Sequence, residues 1–171
     1  LIQNPPSRYL EENEMDKIAS YPYQRDLHPY HAKDGKVKAL ETIKFSIMTH
    51  HGCWGECNYC AIAAHQGRTI RTRSEQNILS EAKHFTTLKD FKGIISDVGG
   101  PTANMYGYEC VKKEKLGTCI ENKRCVDAHR LCKTMKVDHS RNIKLLKDIR
   151  AVPGIKKAFV ASGVRYDLIT A

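Results

Sequence analysis

At 171 residues, 41% hydrophobic and 27% charged, the chain has the composition of an ordinary soluble domain with enough apolar mass for one core. No apolar stretch approaches the ~20 residues of a membrane helix, and the polar N-terminus is not a signal peptide, which argues against membrane and secreted classes. The net charge of +9 permits a polyanionic partner, but no basic run exceeds Lys112-Lys113 or Lys156-Lys157, so a solvated basic surface is the preferred reading over a nucleic-acid interface.

Residues 1–40 hold Pro5, Pro6, Pro22, Pro29 and Gly35 and read as an N-terminal linker or extended arm, with a short helix near Glu11 to Ile18. From Thr42 the run Ile43 to Met48 alternates apolar and polar, the period of a strand, and ends at His50 and His51. Further on, Ser74 is an N-cap with Glu75 in the first turn, and Ile78, Leu79, Ala82 and Phe85 follow at helical spacing. Phe91 to Val98 is a short, β-branched apolar run, expected as a second strand buried on both faces and closed by Gly99-Gly100-Pro101. Residues 102–137 break the rhythm with four cysteines and many lysines. A second helix is expected over Arg141 to Ala151, stopped by Pro153-Gly154. Ala158 to Ala161 is the third strand, ended by Ser162-Gly163. Strand, helix, strand, insertion, helix, strand is a βαβαβ order. Right-handed crossovers lay such strands parallel and gather functional groups at their C-terminal ends. A doubly wound sheet has the same order, but the dinucleotide fingerprint G-x-G-x-x-G follows no strand.

Cys53, Cys57 and Cys60 stand as C-x3-C-x2-C directly after the first strand. Three thiolates on one glycine-bearing loop suit three irons of a cubic [4Fe–4S] cluster, leaving one iron open to an exogenous ligand because no fourth cysteine follows in the loop. Zinc ordinarily draws four ligands from two such pairs, and a thioredoxin-like redox pair would use only Cys57 and Cys60, leaving Cys53 unexplained. A second quartet, Cys110, Cys119, Cys125 and Cys132, spaced C-x8-C-x5-C-x6-C, could staple the lysine-rich insertion with zinc or another Fe–S cluster. His129 and His139 are alternative donors. Seven cysteines in clustered spacings argue for a reducing compartment, the cytoplasm, and for metal rather than disulfides.

The loop His51-Gly-Cys-Trp-Gly-Glu-Cys-Asn-Tyr-Cys60 resembles the cluster loop of radical S-adenosylmethionine (SAM) enzymes. The strings HQGRTIRTRS from His65, ISDVGGPTANMY from Ile95 and the stretch Ile155 to Asp167 are similar to the YgiQ-type branch of that superfamily, a resemblance covering roughly residues 40–171. It implies an α/β fold, a partial (β/α) barrel of the radical SAM type, with parallel strands and a cysteine-rich insertion after the second. By the resemblance, residues 41–171 are the N-terminal half of the core, and the chain, starting at Leu1 and ending at Ala171, is expected to be a piece of a longer protein. The open iron of the cluster would chelate SAM. Gly99, Gly100 and Pro101 match the glycine-rich element that receives the methionine ammonium, although Pro101 stands where an acidic residue is usual and Asp97 precedes it. Tyr59 matches the aromatic bordering the adenine, Ile62 the residue whose backbone reads its edge, and Ser162 and Arg165 polar groups that hold the ribose or carboxylate. The implied activity is reductive cleavage of SAM to a 5′-deoxyadenosyl radical, with an external electron donor and an unassigned substrate. The rival classes are a structural zinc module and a nucleic-acid-binding module without catalysis.

Overall fold

The structure is a computed structural model and describes residues 2, 8–116, 119, 124–127 and 130–169. Glu11 opens helix α1 (Glu12–Ala19) with a capping box, in which Glu14 accepts the Glu11 N–H at 2.8 Å while the Glu11 side chain accepts the N–H three residues on. Met15 buries this helix against the body, and Asp16 accepts the Ser74 N–H at 2.9 Å, fixing the arm to the start of a later helix.

The next elements are α2 (Lys38–Ile43), β1 (Ser46–Met48) and β2 (His50–His51). The strand expected from Ile43 therefore begins only at Ser46. Ile43 ends α2 and is exposed, because the tract Lys38 to Ile43 completes one and a half helical turns before the alternation takes hold. After the cysteine loop come α3 (Ile62–His65), β3 (Arg71–Thr72), which pairs antiparallel with β2, and α4 (Glu75–Thr87). Ser74 caps α4 as expected, its hydroxyl accepting the Asn77 N–H at 3.1 Å, and Ile78, Ala82 and Phe85 form the buried stripe.

The second apolar run becomes β4 (Ile94–Ile95) and β5 (Asp97–Gly99), with Ser96 between them. Ile95 and Val98 are buried, whereas Ile94 is 43% exposed, so the expected burial on both faces is corrected to burial on one. Phe91 stays in the preceding turn, packed edge-on against Phe45 at 5.0 Å between ring centroids. The insertion supplies β6 (Glu109–Cys110), α5 (Val111–Leu116), β7 (Val126–Asp127), β8 (Arg130–Leu131) and β9 (Met135–Lys136). Helix α6 (Ser140–Ala151) and β10 (Lys157–Ala158) complete the order.

Both major pairings are parallel: β1 lies beside β5 with Ile47 opposite Val98, and β10 beside β4 with Ala158 opposite Ile95. Three further backbone bonds merge them. Ser96 N–H donates to Phe45 O at 3.0 Å, Val98 N–H to Phe159 O at 2.8 Å, and Phe159 N–H to Ile95 O at 3.0 Å. The run from Ile94 to Gly99 is thus bonded on both sides. Helices α4 and α6 share the core of Ile47, Ile78, Phe85, Ile95, Val98, Leu145 and Ile149 on one face. This is a mixed α/β architecture with small parallel sheets. The insertion adds two antiparallel pairs, β6 with β9 and β7 with β8, around a second core holding Trp54, Met105, Tyr108 and Val126. Among the described residues no helix is long and apolar enough to cross a membrane.

Candidate functional site

A cleft of about 220 Å³ opens where β1, β5 and β10 end, lined by Cys53, Cys57, Cys60, Tyr59, Ile62, Pro101 and Arg165 together with Glu56, Thr102 and Val164. Seven residues chosen from sequence thus share one small space, drawn from positions more than a hundred residues apart.

The loop bends sharply to do this. Gly52 has φ of +81°, and a Cβ there would sit 2.2 Å from the Thr69 carbonyl oxygen, so only glycine is accommodated. Glu56, at φ of +41°, holds the left-handed conformation without being glycine and is tied to Arg68 across 2.9 Å. Two cysteine sulfurs already receive donors. Gly55 N–H reaches Cys53 Sγ at 3.3 Å, and the Thr102 hydroxyl lies 3.3 Å from the same sulfur. Arg165 Nη1 donates to Cys57 Sγ at 3.2 Å. The Tyr59 phenol also bonds Cys57, which raises its pKa, while its ring is 92% exposed at the rim.

The three thiols share one cleft, and the donors that meet Cys53 and Cys57 suit a thiolate-ligated iron–sulfur cluster. In a cubane each cysteine takes a separate iron, so its ligands stand apart around a shared space, and N–H and O–H donors to the sulfurs are the usual outer shell.

The glycine-rich element has further geometry. The Gly99 carbonyl accepts both the Thr49 N–H at 2.7 Å and the Thr49 hydroxyl at 3.1 Å, which uses its two lone pairs. A Cβ on Gly99 would meet Ser162 Oγ at 2.6 Å, and one on Gly100 would meet the His50 ring at 2.6 Å. The two glycines are therefore required by packing, whatever they bind. His50 is fully buried; burial, aided by His51 and opposed by the Thr102 backbone, lowers its pKa to about 4, so it is neutral at pH 7. Ser162 donates to Asp97 Oδ2 at 2.5 Å and does not line the cleft among its described walls.

Arg165 is held from every side. Asn104 accepts its N–H at 3.0 Å and donates to its carbonyl at 3.0 Å. Its Nε donates to Asp167 Oδ1 at 3.0 Å and its Nη2 pairs with Asp167 Oδ2, a bidentate fork that raises the Arg165 pKa and lowers that of Asp167. Gly55 leaves room for the guanidinium, since a Cβ there would lie 2.6 Å from Nη1. Gly55, Thr102, Asn104 and Asp167 carry no motif of their own in the sequence. Only Asp167, two residues from Arg165, carried a usable hint.

The second quartet is gathered in part. Cys110 Sγ and Cys132 Sγ approach the Thr134 hydroxyl at 3.5 and 3.2 Å, and Cys125 lies one backbone bond away, its carbonyl accepting the Cys132 N–H at 2.9 Å. Burial pushes the Cys125 thiol pKa up. Cys119 instead lines a separate cleft of about 180 Å³ with Tyr9, Arg68 and Lys113. His139 is engaged with the Tyr108 hydroxyl at 3.2 Å and the Leu168 carbonyl at 3.0 Å, and His129 lies outside the described residues.

Comparison with known proteins bears on the family, through a model whose match ends before the cysteine loop. Residues 1–46 match the family model described as radical SAM N-terminal. A UPF0313 protein of Fusobacterium nucleatum is 55% identical over 169 residues, covering 99% of this chain and 29% of that protein. UPF0313 proteins of Clostridium botulinum and Clostridium perfringens are 47% and 46% identical over 169 and 171 residues, each with 26% of its length covered. The chain thus spans under a third of the length of the curated relatives it matches, and the expected resemblance to the YgiQ-type radical SAM proteins is borne out.

Proposed function

We propose, from the radical SAM N-terminal match over residues 1–46 and the cysteine loop, that the chain is the cluster-binding part of a radical SAM enzyme, built on a partial (β/α) barrel and working in the cytoplasm. Cys53, Cys57 and Cys60 hold three irons of a [4Fe–4S] cluster, and SAM occupies the remaining one. The observation that supports this is the single cleft shared by the three thiols, Tyr59, Ile62, Pro101 and Arg165. When bound, the cluster supplies the electron that cleaves SAM to methionine and a 5′-deoxyadenosyl radical, with an external low-potential donor refilling it.

The chain's own groups have separate duties in this reading. The thiolates anchor the metal, and Gly55 N–H and the Thr102 hydroxyl spread the charge on Cys53. Ile62 and the Tyr59 ring border an adenine at the rim. The methionine ammonium finds its acceptors from Gly100 onward, because the Gly99 carbonyl is already used by Thr49. Ser162 acts indirectly, locking the strand end through Asp97. Residues 1–40 serve as an arm, tied down through Asp16 and through Arg25, which pairs with Glu81. A second metal at Cys110, Cys125 and Cys132 is a separate proposal, supported by the Thr134 hydroxyl that Cys110 and Cys132 share and by the backbone bond from Cys132 to Cys125.

Anaerobic reconstitution with iron and sulfide tests the reading. About four irons per chain and a broad visible absorption are expected, both lost when all three loop cysteines become alanine. Saturating SAM should alter the electron-paramagnetic-resonance spectrum of the reduced protein. Zinc uptake with no iron would favour the structural metal module instead, and salt-sensitive polyanion binding with neither metal the nucleic-acid module.

A further inference from the structure

Arg165 is the one cation whose N–H meets a loop sulfur among the bonds described, and its geometry suits that contact more than capture of a ligand. The five guanidinium N–H donors lie in one plane, and here the Nε and Nη2 edge meets Asp167 while Nη1 points at Cys57 Sγ at 3.2 Å. Three independent features maintain the pose. Asn104 fixes the backbone through two reciprocal bonds, Asp167 fixes the plane of the side chain, and Gly55 lacks the Cβ that would displace Nη1.

We propose that Arg165 is a positioning residue for the iron–sulfur centre: it donates a charge-assisted hydrogen bond to the Cys57 thiolate and thereby raises the centre's reduction potential. This rests on the cluster reading given above. Reduction adds one electron, supplied by an external donor, to a centre already carrying thiolate charge. A fixed cation with its proton on one sulfur stabilises the reduced form more than the oxidised form, so it makes the electron easier to accept. Asp167 lowers the net charge of the pair but also prevents the guanidinium from swinging away. A freely mobile arginine would give an average effect, whereas this one gives a fixed one.

The test is a redox titration of the cluster-loaded protein, read by electron paramagnetic resonance, with iron content measured on the same samples. Arg165→Gln should keep its iron while its midpoint potential falls by about 59 mV, a tenfold change in the one-electron equilibrium. Gly55→Ala, whose Cβ would crowd Nη1 at 2.6 Å and also reach Cys53 Sγ at 3.3 Å, should shift it in the same direction. Arg165→Lys, a point charge without the fork, should fall between wild type and Arg165→Gln. Unchanged potentials in all three variants with iron intact would overturn the proposal and leave the cluster reading standing. A wild-type protein that takes up no iron would overturn both. Should Arg165→Gln lose iron, Gly55→Ala and Arg165→Lys decide, and native potentials in both would likewise reject it.

Discussion

Asp97 and Ser162 join two strand ends: the Ser162 hydroxyl donates to Asp97 Oδ2 at 2.5 Å, and Asp97 Oδ1 accepts the backbone N–H groups of Ala161 and Ser162 at 2.8 and 3.2 Å. The carboxylate sits at the start of β5 and stops the segment beyond β10 from fraying. Three residues after Ser162 the chain delivers Arg165 to the cysteine loop. The chain therefore reaches the site through a polar clasp whose own residues stand outside the walls of the cleft.

Breaking that clasp should loosen the site before it unfolds the core. Asp97→Ala removes three bonds to a charged acceptor, each worth about 1.5–3 kcal/mol at most and less where water can replace it. We expect a loss of about 2–3 kcal/mol in urea unfolding. Gly99→Ala should also destabilise, since its Cβ would meet Ser162 Oγ at 2.6 Å. Wild-type midpoints in both variants would refute the assignment.

His50 should make stability fall in mild acid. Its folded pKa of about 4 lies below the unfolded value near 6.5, so between those pH values the unfolded chain binds a proton that the folded chain refuses. The contribution is complete above pH 6.5 and is lost as pH drops toward 4, by as much as about 3 kcal/mol at ~1.4 kcal/mol per unit. His51, also lowered by burial, acts in the same sense. Unfolding free energy measured from pH 7 to 4 should drop more steeply in wild type than in His50→Gln. Parallel curves would exclude His50 as the source.

Local signals carried the helices well and the strands less well. Ser74 and the stripe of Ile78, Ala82 and Phe85 follow from capping and a 3.6-residue period, both of which are contained within one segment. The strand beginning at Ile43 was misjudged because apolar alternation over six residues also fits the end of a helix. Burial of Ile94 depended on what covers the second face of the sheet, a tertiary matter that no window of sequence contains. At the site, the cysteines stand out by their spacing and Arg165 by the family resemblance, and one cleft holds both. Asn104 and Thr102 do not stand out, because their roles exist only once distant strand ends meet.

Lys113 links the insertion to the loop. It is buried, donates from Nζ to the Arg68 carbonyl, and stands 5.2 Å from the centre of the Trp54 ring. Lys113→Met keeps the aliphatic stem but removes the cation–π contact and leaves a carbonyl bond unmade, so a cost of about 2 kcal/mol is expected. Trp54 is the only tryptophan, so its fluorescence reports the change directly. An unaltered emission spectrum together with unaltered stability would show that the ammonium contributes nothing there.

The insertion's thiols divide into three and one, and that division makes the second-metal proposal testable. Cys110 and Cys132 meet at Thr134 with Cys125 beside them, while Cys119 faces a different cleft alongside Lys113. If a metal staples the three, Cys125→Ala should lose one non-cluster metal per chain and lower Tm by about 2–4 °C or more, the shift that 1 kcal/mol produces in a chain of this size. Its visible iron–sulfur absorption should remain, because separate sites act nearly additively. Cys119→Ala should keep the metal. Cavity formation alone would lower Tm in Cys125→Ala without changing the metal count, so the count decides. A Cys125→Ala protein with its full metal content would end the proposal, and loss of metal in Cys119→Ala would mean that the fourth thiol moves to join the other three.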